Sequence, residues 1–216
     1  FIRGRRPGKS QVRKPVWKCY GEKDLYLRGL NVYGYDPRNP FGGNYPDRVI
    51  WTNVLQELLG DSCRVIADGM NGRVIPWEGY SLSLLKNHLA AEEPLSLFAV
   101  MLGTNDILNS YGECVSAIVQ NMEEFCMNIE NALRVQNKSG GLKTTISIIG
   151  PPPITIPDFP AESMNMLWAG YREIADKHMW RYIDTSSWNL SMAYDGIHLS
   201  ERGHHTFAER MAKSIS

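Results

Sequence analysis

The segment Tyr194-Asp195-Gly196-Ile197-His198-Leu199 places an aspartate three residues before a histidine, across a turn. A carboxylate at that spacing can accept the imidazole Nδ1–H, fix the tautomer and leave Nε2 as a general base. The plainer alternative is a helix-entry turn with an incidental histidine. A second stretch, Gly103-Thr104-Asn105-Asp106, couples a glycine that permits a tight exit from a strand to an asparagine whose amide N–H can meet a developing oxyanion. Asn105 and Asp106 would serve equally well as caps of the following segment. In Asp68-Gly69-Met70-Asn71-Gly72-Arg73, Gly69 and Gly72 let the backbone approach a substrate and offer an N–H donor, although two loop glycines do not establish this alone.

A serine in the context Gly60-Asp61-Ser62 invites reading as a nucleophile. Its setting argues for a turn. The preceding "VIWTNVLQELLG" (49–60) carries apolar residues at helical spacing and stops on Gly60, and the following "CRVIAD" (63–68) reads as a strand. Ser62 thus falls at the strand's amino end, roughly 15 Å or more from the carboxyl end. Ligands in open α/β sheets bind beyond the carboxyl ends.

The elements that must position these groups follow from alternating apolar runs and amphipathic stretches. Strands are expected at 25–29, 63–68, 95–102, 144–150 and 180–184. Helices are expected at 49–60 and around 81–91, 112–136, 161–177 and 200–214. Such alternation argues for a parallel sheet with helices on both faces, because each parallel return requires a right-handed crossover. The three candidate loops then all follow strands.

A chain of 216 residues, 43% hydrophobic, is long enough to bury a core and is expected to form one domain over 25–216. Residues 1–24 form a basic extension. Seven of the 23 basic residues (Arg3, Arg5, Arg6, Lys9, Arg13, Lys14 and Lys18) lie in the first eighteen positions, without an acid, so the remainder carries 16 bases against 23 acids, about −7. No aromatic interleaving or binding motif accompanies this run, so it reads as a solvated tail rather than a nucleic-acid or lipid contact. Cys19, Cys63, Cys114 and Cys126 show no C-x-x-C spacing, and the last two fall within one expected helix. Reduced thiols and a cytoplasmic location are the expectation. No apolar run approaches the roughly 18–20 residues of a membrane span, and the start lacks a signal-peptide core.

Taken together, "GTND", "GMNGR" and "DGIHLSERGH" resemble the SGNH hydrolases, the GDSL-type esterase and lipase family, from about Gly29 to the end. The loop "NVYGYDP" (31–37) with "RVIWTNVLQELLG" further resembles its arylesterase and acyltransferase-like branch. The resemblance implies a flavodoxin-like, three-layer α/β/α sandwich on a five-stranded parallel sheet, with no metal or cofactor. It implies hydrolysis or transfer of acyl groups from small carboxylic esters by serine acylation. It also implies His198 as base, Asp195 as its orienting partner, and Asn105 (side-chain amide) and Gly72 (backbone N–H) as oxyanion donors.

The nucleophile departs from this pattern. Anchored on "NVYGYDP", the family's serine belongs directly before Asn31, where Leu30 stands after Gly29. A second register through Cys19-Tyr20-Gly21-Glu22-Lys23 offers Lys23, which Glu22 and Asp24 keep charged. Leucine carries no nucleophile, so an acyl-enzyme cannot form on it. Three explanations stay open. Residues 1–30 derive from a shifted reading frame or disrupted gene copy; or the chain is a pseudoenzyme that binds a small acyl or sugar ester without cleaving it; or another residue or a water works with His198 and Asp195. Asp195, His198 and His204 lack the compact spacing of a metal motif, and no phosphate-binding loop follows the first strand. Trp77, Tyr80, Phe159 and Trp168, in long loops, are candidates to line an acyl or aryl pocket or simply to pack those loops. The branch resemblance also permits a homo-oligomer built through these loops.

Overall fold

The computed structural model describes residues 24–29, 31–39, 41–76, 79–92, 95–136 and 143–215. Among them run β1 (Asp24–Gly29), α1 (Trp51–Leu59), β2 (Arg64–Gly69), α2 (Tyr80–Ala91), β3 (Leu95–Met101), α3 (Thr104–Asn109), α4 (Val115–Gln136), β4 (Thr145–Ile149), α5 (Ala161–His178), β5 (Arg181–Ile183) and α6 (Glu201–Ile215). The basic run at the start, Lys23 and Leu30 lie outside the described residues.

All neighbouring strands pair in parallel, in the order β2-β1-β3-β4-β5. The two-residue period of the pleat sorts their side chains into two cores. Leu25, Leu27, Leu97, Ala99 and Met101 pack with Trp51 and Leu55 of α1 and Phe207 and Met211 of α6. On the other face Tyr26, Phe98, Val100, Ile146 and Ile148 meet residues of α2, α4 and α5, among them Leu85, Phe125 and Tyr171. Helices on both faces of a five-stranded parallel sheet make the α/β/α sandwich that the alternation implied.

Two features of this frame position the rim. β1 lies between β2 and β3, so the chain reverses direction across the sheet there, and a crevice opens at such a switch point beyond the strand ends. The Phe207 ring of α6 sits 4.7 Å from that of Trp51 in α1 and 5.1 Å from Trp188. Burying a large apolar side chain contributes about 1.5–3 kcal/mol. This packing anchors α6, and with it the turn that precedes it.

One expected helix starts late, and a helix that was not expected stands before it. The stretch assigned to 112–136 begins only at Val115, and a separate short helix, α3, precedes it. Tyr111 (φ 55°), Gly112 (φ 81°) and Cys114 (φ 58°) adopt left-handed backbone that an α-helix cannot contain. Cys114 therefore stands before α4 rather than within the helix that holds Cys126. Cys114 and Cys126 form no disulfide among the described residues. No helix among the described residues is long and apolar enough to cross a membrane.

Candidate active site

The loops that leave β1, β2 and β3 touch one another. A Cβ on Gly69, the last residue of β2, would collide with the Tyr33 backbone in the loop after β1. Asn31, two residues past the end of β1, accepts the Leu199 backbone N–H on Oδ1 at 3.3 Å, and its carbonyl accepts the Trp51 indole N–H at 3.0 Å. The loop after β1 thereby reaches both the end of β2 and the turn before α6.

That turn is closed at its base by hydrogen bonds from Ala193 N–H to the His198 carbonyl (2.7 Å) and from Ser200 N–H to the Ser191 carbonyl (3.0 Å). Within it, Asp195 Oδ1 accepts the backbone N–H groups of Ile197 (3.0 Å) and His198 (3.1 Å). Its Oδ2 lies 2.6 Å from His198 Nδ1. Burial pushes the Asp195 carboxyl upward, but the hydrogen bonds from His198 and the two backbone groups outweigh it and hold the pKa below the usual carboxylate value. An ionised acceptor on Nδ1 selects the tautomer whose Nε2 is unprotonated. The His198 residue is only 9% exposed, and its Nε2 is buried without a hydrogen-bond partner among the described residues. The Tyr35 ring lies 4.7 Å from the imidazole.

Asn105 is the second residue of α3, reached through Gly103, whose φ of 111° makes the sharp exit after β3. Its amide donates one N–H to the Arg73 carbonyl at 2.8 Å, which leaves the second N–H of the carboxamide for another acceptor. Gly72 adopts φ 70°, and nothing lies within 4 Å of where its Cβ would be. Its N–H meets the side-chain oxygen of Asn71 at 3.1 Å. A ligand that takes the Gly72 N–H must therefore displace the Asn71 amide. Three of the four residues proposed from sequence are thus tied to neighbouring loops by direct contacts: His198 and Asp195 through Leu199 and Asn31, and Asn105 through Arg73 to the loop of Gly72.

Sequence reasoning missed an ion cluster beneath this rim. Asp68, opposite Arg28 in the β1–β2 register, pairs with the Arg28 guanidinium and with Arg73 (Nη2 to Oδ1, 2.8 Å), and accepts the Tyr26 hydroxyl at 3.0 Å. Arg73 also donates to the Asp68 carbonyl at 2.6 Å, closing the loop that holds Gly72. Arg28 and Arg73 are buried, with both Nε groups unpartnered among the described residues. Burial raises the Tyr26 hydroxyl pKa, with the Asp68 charge adding to it, so the phenol stays neutral. Burial acts to raise Asp68 as well, but hydrogen bonding and charge from Arg73 and Arg28 hold its carboxyl low. The signal available in sequence was an arginine at the end of an otherwise apolar strand.

Ser62 lies in a single 3-10 turn (Gly60–Ser62) just before β2, exposed, with its hydroxyl donated to the Leu59 carbonyl at 2.7 Å. Arg64 and Gly69 are five steps apart along β2, about 16 Å at strand rise. His204 is buried in α6, where Nδ1 accepts the Trp51 backbone N–H at 3.3 Å, away from any shared role with Asp195. Phe159 and Trp168 pack against the core of α2, α4 and α5, the Trp168 indole N–H donating to the Pro151 carbonyl at 2.9 Å. Tyr80 is exposed at the start of α2, and Trp77 lies outside the described residues.

A three-layer parallel α/β/α sandwich with an Asp-His turn and a carboxamide at its carboxyl rim is the architecture of the SGNH hydrolases. Residues 32–206 match the GDSL-like Lipase/Acylhydrolase family, and the chain belongs to that family, a carboxylic ester hydrolase by resemblance. No curated protein matches the chain. Among solved structures, a carbohydrate acetylesterase of Sinorhizobium meliloti superposes with a TM-score of 0.76 at 21% identity, over 89% of this chain and 98% of the other. The native aryl esterase of M. smegmatis gives a TM-score of 0.77 at 21% identity, over the same shares of the two chains. A carbohydrate acetylesterase family member, also of Sinorhizobium meliloti, gives 0.75 at 24% identity, covering 89% of this chain and 97% of that one.

Proposed function

We propose that the rim is an ester-binding site of the SGNH type, in which His198 is the base, Asp195 its orienting partner, and Asn105 and Gly72 the oxyanion donors. The observation that carries this reading is the state of His198: Nδ1 is bound to a carboxylate, while Nε2 is buried with no donor among the described residues. A buried acceptor without a donor costs about 1–3 kcal/mol, and a serine hydroxyl is the donor this chemistry needs. The sequence has Leu30 where that serine belongs. With a serine there, Nε2 would take the hydroxyl proton as Oγ attacks the acyl carbon, and the donors would hold the oxyanion. The proton would then pass to the departing alkoxide, and water would release the acyl group by the same base.

With leucine the acylation step has no attacking atom, so hydrolysis is impaired. The substrate class is small acyl esters, and the similarity to carbohydrate acetylesterases supports an acetylated sugar among them. A second reading, an inactive protein that binds such an ester without cleaving it, is favoured by the burial of Nε2 from solvent. A cytoplasmic location remains part of the proposal and rests on the lack of C-x-x-C spacing among the cysteines.

The test is hydrolysis of p-nitrophenyl acetate by the chain, Leu30→Ser, and each combined with His198→Ala. The unmodified chain is expected within about tenfold of its His198→Ala form, the residue of binding and oxyanion donors alone, and Leu30→Ser is expected to gain at least about a hundredfold that His198→Ala removes. A gain that survives His198→Ala would overturn the assignment of the base.

A further inference from the structure

We infer that Asp106 is a positioning residue for the oxyanion donors: from α3 it fixes the backbone of residues 73–75, and so sets the direction of the neighbouring Gly72 N–H. The inference rests on the reading of the rim given above.

Residues 73–75 lie outside any strand. A backbone without a strand neighbour still needs partners for its buried N–H and C=O groups. Two consecutive side chains of α3 provide them. Asn105 donates to the Arg73 carbonyl at 2.8 Å, and Asp106 Oδ1 accepts the Ile75 N–H at 3.2 Å. Carbonyl 73 and amide 75 are thus held at two points from the same helical turn, much as an adjacent strand would hold them. Ile75 itself is 2% exposed and belongs to the core, so the far end of the clamped segment cannot shift without disturbing packing. The near end is held by the Arg73–Asp68 pair. Gly72, with positive φ and open space around its Cβ position, directly precedes the clamped segment.

The clamp also orients Asn105. Using one amide proton on the Arg73 carbonyl fixes the carboxamide plane and leaves the other proton in a set direction. Were residues 73–75 to drift, both donors would move. Asp106 pays for its place, since Oδ2 is buried without a hydrogen-bond partner among the described residues and burial raises its pKa. The carboxyl also meets backbone groups of Gly103 and of Asp106 itself, so one side chain ties the N–H of Ile75 to the start of α3.

The experiment has two readouts. In the otherwise unmodified chain, backbone amide exchange is measured for Gly72–Ile75 and for β3, comparing Asp106→Ala with Asp106→Asn, which keeps an Oδ1 acceptor. Asp106→Ala is expected to speed exchange at Ile75 by at least about tenfold while β3 stays protected, and Asp106→Asn to stay within about threefold of the parent. In the Leu30→Ser protein, Asp106→Ala is expected to lower kcat for p-nitrophenyl acetate by about ten- to a hundredfold with KM within about threefold, and Asp106→Asn to restore most of it. Unchanged exchange at Ile75, or an asparagine as damaging as alanine, overturns the inference. Should Asp106→Ala not fold, Asp106→Ser, too short to reach Ile75, is read in the same two assays with the same criteria. If Leu30→Ser gains no His198-dependent activity, the reading of the rim fails, whereas the exchange data still decide what Asp106 holds.

Discussion

His198 Nδ1 stands 2.6 Å from Asp195 Oδ2, while the other oxygen of the same carboxylate is fixed by the backbone N–H groups of Ile197 and His198. The carboxylate is therefore locked to its own turn before it acts on the ring. In Asp195→Asn the amide keeps the shape but presents N–H to Nδ1, favouring the tautomer with its proton on Nε2, which cannot accept one. In the Leu30→Ser protein this change is expected to lower kcat by about a thousandfold or more with the fold intact. Steady-state kinetics beside a circular dichroism melt checks it. Loss of less than tenfold would mean that Asp195 does not set the tautomer.

Ser62 provides the matching control. Its hydroxyl is committed to the Leu59 carbonyl in a turn ahead of β2, on the edge of the sheet away from His198. Ser62→Ala is expected to leave p-nitrophenyl acetate hydrolysis unchanged in the Leu30→Ser protein and to alter stability by about 0.5 kcal/mol or less. A large drop in activity would show the hydroxyl to be part of the site.

What could be read from sequence and what could not divide along physical lines. The strands were legible because each is a short apolar run bounded by turn residues, and the burial of Leu25, Leu97 and Ile148 follows from that pattern. Asp195 and His198 were legible because their relation is local, three residues across one turn. Strand order was not, since it depends on where crossovers land. Nor was α3, because Gly103-Thr104-Asn105-Asp106 looks like a cap and nothing in it signals a helix of its own. The buried pairing of Arg28 and Arg73 around Asp68 was hidden as well, for it joins residues forty positions apart through the β1–β2 register. The same holds for the Asn105 and Asp106 contacts to residues 73 and 75: each side chain was visible, but its partner was not.

The ion cluster predicts an order of stabilities. Asp68 is the one carboxylate facing two buried guanidiniums in this group, so Asp68→Ala leaves both unpaired and is expected to cost about 3–5 kcal/mol. Arg28→Met removes one cation, leaves a one-to-one pair of Asp68 with Arg73, and fills the space with an apolar chain. It is expected to cost markedly less, about 1 kcal/mol or nothing. Urea unfolding of the two variants at neutral pH measures the difference. Equal costs would mean that the second arginine is held by something other than Asp68.

His204 gives stability a pH dependence whose sign can be worked out. Burial, with smaller contributions from the charges of His205 and His198, lowers its pKa from 6.5 to about 4. The neutral ring accepts the Trp51 N–H on Nδ1, and its centroid lies 5.2 Å from that of the Tyr45 ring with the two planes at 73°. The folded value is below the unfolded one, so between the two the unfolded chain binds more protons than the folded chain. Stability is full above about pH 6.5 and falls as the pH drops toward 4. From pH 7.5 to pH 5 this one group is expected to remove about 2 kcal/mol. Carboxylates begin to titrate near the lower limit, so the comparison is with His204→Gln, whose amide oxygen can still accept from Trp51 but does not protonate. Urea midpoints should fall more steeply with acidification in the parent than in His204→Gln. Parallel declines in the two proteins would show that the ring takes up its proton as readily in the fold as in the unfolded chain, so that Nδ1 is not held there as the acceptor of the Trp51 N–H.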